Sequence, residues 1–135
     1  MKPRMTLTED DCAKIMAAAV AEARKNNWAV AVAILDDGGH LLNFLRMDGA
    51  GPYSVDISQG KARTAALTRH PSKRYEDIIA GGRTAVLSMP LLSVQGALPI
   101  MAGTTCVGAV GVSGAASHED EQVARAGIQA LGPLG

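Results

Sequence analysis

The segment Trp28–Leu35, WAVAVAIL, limits the fold of this chain more than any other. Trp28, Val30, Val32 and Ile34 alternate with Ala29, Ala31 and Ala33, so that both faces of an extended strand are apolar. A half-exposed strand would alternate with polar residues; two apolar faces predict a central strand covered on both sides. A second stretch, Thr105–Val112, alternates in the same way but carries Gly108 and Gly111. Glycine weakens a strand and packs nothing, so its presence there predicts close approach by another backbone, a subunit or a ligand.

Capping and periodicity place the remaining elements. Thr6-Leu7-Thr8-Glu9 has capping-box spacing, and Cys12, Ile15, Met16, Ala19, Val20 and Ala23 recur at three- and four-residue intervals. Together they predict a first helix that ends near Asn26-Asn27. Asp36-Asp37-Gly38-Gly39 is a turn signal, and HLLNFLR reads as the returning strand of a hairpin. After a Gly/Pro loop, the pattern from Ser54 to about Arg69 is helical, with Val55, Ala62, Ala65, Ala66 and Leu67 as its buried positions. A shorter helix, SKRYEDIIA, is ended by Gly81-Gly82.

Two short strands, around Leu91–Val94 and Leu98–Met101, are expected before the Gly103-Thr104 turn and the last strand. The final helix is expected from His118 to Leu131, capped by the Ser117 hydroxyl, with Asp120 and Glu121 in its first turn. Short connections make the strands antiparallel. The expectation is one α+β domain over residues 1–135, a five-stranded antiparallel sheet sandwiched between helices.

Charge and composition narrow the function. Lys+Arg and Asp+Glu both number 13 and aromatics are 3% of the chain, which leaves neither a basic field nor a stacking platform for nucleic acid. The longest apolar run is far short of the roughly 20 residues of a membrane span, and no apolar stretch follows the basic N-terminus as in a signal peptide. Cys12 and Cys106 fall at apolar positions and read as small buried hydrophobes in a reducing cytoplasm.

Four segments carry a family resemblance: AVAILDDGGHLLNFLRMDGA, QGKARTAAL, the Pro-Ile-x-x-Gly turn from Pro99 to Gly103, and VGAVGVSGAASHEDEQVA. Together they resemble the GlcG/HbpS-like family, which includes the haem-binding C-terminal domain of PduO-type corrinoid adenosyltransferases. The resemblance implies a profilin-like fold with the five-stranded sheet. It also implies assembly into homo-oligomers, dimer to octamer, and a small-molecule ligand, haem in some members; many members are accessory proteins of catabolic gene clusters. The family usually has Gly-Gly before the Pro-Ile pair, where this chain has Gly96-Ala97-Leu98-Pro99. The added methyl of Ala97 either packs or narrows whatever the turn approaches.

Among the histidines, none is paired at i,i+4 and none has zinc-finger spacing, whereas haem needs only one or two axial ligands and an apolar surround. His40, at the start of a strand, is the first candidate for axial ligand. His70 and His118 sit at helix ends. Gly111-Val112-Ser113-Gly114-Ala115 lacks the last glycine of a nucleophile elbow, so Ser113 and Gly114 read as binding groups for a carboxylate or propionate. Arg46, Asp48, Lys61 and Thr64 are candidates for one ligand pocket between a strand end and a helix face, with Asp48 or Asp120 moving a proton if the protein is an enzyme. Two readings result. One is a binding protein for haem or a related anionic or aromatic metabolite. The other is a metal-independent isomerase, tautomerase or hydrolase of a small organic acid.

Overall fold

A computed structural model describes residues 1–134. Four α-helices, one 3-10 helix and four strands follow in the order α1 (Glu9–Lys25), β1 (Ala31–Asp36), β2 (Leu41–Arg46), α2 (Ser54–Thr68), α3 (Lys73–Ala80), the 3-10 helix Thr84–Ser88, β3 (Ala97–Ala102), β4 (Thr105–Ser113) and α4 (Ser117–Gln129). The sheet order is β2-β1-β4-β3, antiparallel throughout. WAVAVAIL thus supplies an inner strand, as its two apolar faces require.

One face of the sheet carries the large side chains. Val30, Val32, Ile34, Ile100, Val110 and Val112 pack with Ile15, Met16, Ala19 and Val20 of α1 and Val123 and Ala124 of α4. The other face meets α2 through small residues: Ala62, Ala65 and Ala66 against Ala33, Leu35, Ala97 and Ala109. The methyl of Ala97 therefore packs into this seam. A Cβ on Gly111 would lie 2.2 Å from the carbonyl oxygen of Ser58 and 2.6 Å from the amide of Ala62. At Gly108 it would lie 2.4 Å from the Leu35 carbonyl oxygen. The glycines are thus filled from within the chain, by the α2 backbone and the neighbouring strand.

The sheet has four strands among the described residues, not five. The expected strand at Leu91–Val94 does not form, because both backbone groups of Leu92 are taken: its amide donates to the Thr64 hydroxyl at 2.8 Å, and its carbonyl accepts from the Val94 amide at 3.0 Å and lies 3.1 Å from the same hydroxyl. A residue held in this way has neither group left for a ladder. The outer edge of β3 is instead met by Ser72, whose amide donates to the Ala97 carbonyl and whose hydroxyl accepts from the Ala97 amide, each at 3.1 Å.

Three local expectations shift. The first helix is capped by Thr8, whose hydroxyl accepts from Asp11 N while Asp11 accepts from Thr8 N, a capping box displaced two residues from the expected one. The last helix starts at Ser117, with Ala116 as its cap; Glu119, rather than the Ser117 hydroxyl, bonds the Ala116 amide at 3.0 Å. In α2, Leu67 is exposed and Val55 half-buried, while Ser54, Ser58, Lys61 and Thr64 are buried. A β-bulge between Ile34 and Leu35 shifts the register of β2, pairing Leu41 with Leu35 and Asn43 with Ile34. Leu41 and Asn43 consequently face opposite sides of the sheet, although they are two residues apart.

Candidate functional site

Two of the expected site residues meet in the interior. Lys61, on α2, extends past the end of β4 and places its Nζ 3.0 Å from Asp120 Oδ2 on α4 and 3.1 Å from the carbonyl oxygen of Val112. The other carboxylate oxygen of Asp120 accepts from the Ala115 amide at 3.0 Å. Both side chains are almost wholly enclosed, at 3% and 2% exposure. Burial pushes the Asp120 carboxyl above the ordinary carboxylate value, against the pull of the Lys61 charge and the Ala115 N–H. The cluster ties α2, β4 and α4 together at one end of the sheet, with its charges facing each other.

Gly96 makes this contact sterically feasible. A Cβ there would sit 2.7 Å from Lys61 Nζ and 2.8 Å from the Val112 oxygen, and its φ of +140° lies where side chains are strained. A glycine beside a strand start signals only local freedom; nothing in its position announces a lysine from a helix 35 residues upstream.

The rest of the α2 stripe is satisfied locally. Ser54 donates to the Gly51 carbonyl at 2.6 Å and Ser58 to Val55 at 3.1 Å, and the single Thr64 hydroxyl proton is shared between the carbonyl oxygens of Gly60 and Leu92, 3.1 Å from each. Thr64 thereby secures the segment after the 3-10 helix. The polar spacing 54, 58, 61 and 64 follows one helical face, so the stripe could have been read from sequence had polar residues been admitted to the buried side.

Ser113 is buried at the end of β4. Gly114 follows with φ +131°, and a Cβ on it would meet the Ala29 carbonyl oxygen at 2.6 Å. Gly114 thus fits against the entry to β1. Ser113 and Arg46 lie in one row across the sheet, both in register with Ala31, about 10 Å apart at ordinary strand spacing. Arg46 Nε donates to the Ala50 carbonyl at 3.1 Å, and both Arg46 and Asp48 are exposed. The single pocket expected to join Arg46 and Asp48 to Lys61 and Thr64 is therefore not formed: the strand-end pair faces outward and the helix pair is spent inside.

His40, expected at the start of a strand, immediately precedes β2, with its side chain 83% exposed and its Nδ1 3.4 Å from Asp36 Oδ1. The same carboxylate oxygen accepts from the amides of Gly38 and His40 at 2.9 Å, which closes the β1–β2 turn. Partial burial raises the Asp36 carboxyl, but the His40 and Gly38 amides outweigh it and hold the group below its ordinary value. Leu41 and Leu42 beside it are 50% and 44% exposed, and Leu45 37%. His70 and His118 are exposed as well. No group of three or more His, Cys, Asp or Glu side chains suited to a metal ion occurs among the described residues.

Comparison with known proteins places this geometry. Residues 7–129 match the model of the family described as haem degrading protein HbpS-like. Protein GlcG of Escherichia coli K12 is 48% identical over 114 residues, covering 84% of this chain and 85% of GlcG. The crystal structure of a double mutant of Streptomyces reticuli HbpS superposes with a TM-score of 0.89 at 37% identity, covering 98% of this chain and 91% of that one. A PduOC–heme complex shares the fold at a TM-score of 0.86 and 24% identity, over 95% of this chain and 96% of that one. With the match spanning nearly every element from α1 to α4, the chain belongs to the HbpS-like family.

Proposed function

We propose that this chain is a small homo-oligomeric binding protein for haem, or for a related anionic aromatic metabolite, that serves as an accessory to a catabolic pathway. The observation that carries the reading is the setting of His40. Its Nδ1 lies 3.4 Å from Asp36 Oδ1, and the ring, 83% exposed, is open to approach by iron. Exposed Leu41 and Leu42 supply an apolar wall beside it. Arg63 lines a groove of about 160 Å³ with Gly39 and Leu41, within reach of an acidic substituent.

That groove is too small to enclose a macrocycle. The site is therefore a wall that a second copy closes, which ties ligand binding to assembly through the exposed leucines of β2. The haem-degrading description of the family supports the same ligand class. The relationship also supports reading the helix–sheet–helix sandwich as profilin-like. No helix among the described residues is long and apolar enough to cross a membrane, and the two buried free thiols, Cys12 and Cys106, suit a reducing cytoplasm.

The enzymatic alternative, acid–base chemistry on a small organic acid, has less support: Lys61 and Asp120 are enclosed and bonded to each other, and Asp48 stands apart on the surface. Titration of the purified protein with hemin tests the proposal. A saturable Soret shift that disappears in His40→Ala, with the fold intact, is expected. Weak, unsaturated uptake shared by both proteins would overturn it.

A further inference from the structure

At the β1–β2 turn, two arginines from distant parts of the chain converge on Asp37. Arg4 Nη1 lies 2.8 Å from Asp37 Oδ2, and Arg69 donates through Nη1 to the backbone carbonyls of Asp37 and Ala66. Asp37 is largely covered, at 13% side-chain exposure, while Arg4 and Arg69 are 62% and 44% exposed. These residues and Lys2 border a groove of about 540 Å³ that also takes in Thr104 and Thr105 from the β3–β4 hairpin. Met5 and Ala102 add apolar surface to it.

Three cations against one carboxylate leave the groove positive. The two guanidiniums are also only partly used. A guanidinium has five N–H donors, yet in hydrogen bonds among the described residues each of these engages Nη1 alone. Among the described residues the Nε–Nη2 edge of Arg4 carries no hydrogen bond, and Arg69 Nη2 stands 4.0 Å from Asp37 Oδ2, an ion pair beyond hydrogen-bond distance, so both guanidiniums keep N–H donors for the planar recognition that suits an oxyanion. Both arginines are also anchored in advance. Arg69 sits at the C-cap of α2 with φ +62°, a left-handed conformation uncommon for a residue with a side chain, and its Nη1 bonds hold it there. The groove volume lies within the range of about 300–1,000 Å³ typical of small-molecule sites.

We infer that the groove between Arg4 and Arg69 binds a small organic oxyanion, a carboxylate or phosphate ester whose charged end takes the remaining guanidinium donors and whose carbon end lies on Met5 and Ala102. The site is separate from the His40 surface and does not depend on haem.

The test uses the whole protein and two probes, succinate and inorganic phosphate, followed by amide NMR shifts. Saturable shifts confined to the neighbourhoods of residues 2–5, 37, 69 and 102–106 are expected with at least one probe; succinate alone would identify a carboxylate site, and phosphate a phosphoryl site. Arg4→Gln combined with Arg69→Gly should weaken the response at least tenfold. Glycine relieves the left-handed backbone at residue 69, so the variant should stay folded, and unchanged shifts in the remaining residues would show that it has. Absence of saturation with both probes, or equal binding by the variant, would overturn the inference.

Discussion

Lys61 Nζ and Asp120 Oδ2 stand 3.0 Å apart across 59 positions of sequence, and the same Nζ bonds the Val112 carbonyl. The pair joins a helix on one side of the sheet to the start of a helix on the other. Such a pair does little better than a well-packed apolar substitute, because desolvation of both charges offsets their attraction; one charge left alone is the costly state. Asp120→Leu or Lys61→Met alone should therefore destabilise the fold by about 3–5 kcal/mol. The double variant Lys61→Met/Asp120→Leu should lose much less than the sum. Urea unfolding of all four proteins gives the coupling directly, and additive losses would show that the pair does not act as a unit.

Gly111 and Gly103 offer a paired test of the tight seam. Gly103 has φ +62° and nothing within 4 Å of an added Cβ, so Gly103→Ala should cost only the backbone strain, about 1–2 kcal/mol. Gly111→Ala would drive a methyl into the Ser58 carbonyl and should cost about 3 kcal/mol or more, since α2 must lift from β4. Equal midpoints for the two variants would contradict the close helix–strand contact.

The turn at Asp36 has a pH signature. Its carboxyl is held below the ordinary value of 3.8, so the folded state favours the ionised form. That contribution is fully present above the ordinary value and is lost as pH falls through the depressed one. Asp36→Ala should cost about 1–2 kcal/mol at pH 7, from the two amide bonds it removes, and the difference from the parent should shrink under acid conditions. A gap that stays constant down to the acid transition would place the effect elsewhere.

The exposed leucines of β2 bear on assembly. If copies associate through this edge, Leu42→Lys with Leu45→Glu should yield a smaller species in light scattering while the circular dichroism spectrum stays that of the parent. An unchanged mass would move the interface to another face of the molecule.

Much of the layering was legible from residues alone, because it rests on local alternation. WAVAVAIL shows two apolar faces and becomes an inner strand; the Asp-Asp-Gly-Gly turn forces the hairpin. What stayed hidden depends on partners remote in sequence. The segment Leu91–Val94 has strand-like residues, but a hydroxyl 28 positions earlier and the Val94 amide take the groups a ladder needs. Gly108 and Gly111 signalled close approach correctly, yet their pattern is the same whether a subunit, a ligand or the chain's own helix arrives. Lys61 and Asp120 looked like groups seeking a ligand because a charge in isolation always does; only the folded chain shows that each has the other. Arg46 and Asp48 failed to join them because Arg46 is turned to the Ala50 carbonyl at the exposed end of the hairpin.

The contrast between the two faces of the sheet bears on how this protein can diverge. Toward α1 and α4 the branched side chains hold volume that neighbouring positions can exchange, one growing as another shrinks. Toward α2 the contact is alanine and glycine against main chain, and a residue with no volume has none to trade. Descendants of this sequence are thus free to rewrite one half of the interior by compensation, while the other half must be inherited nearly letter for letter.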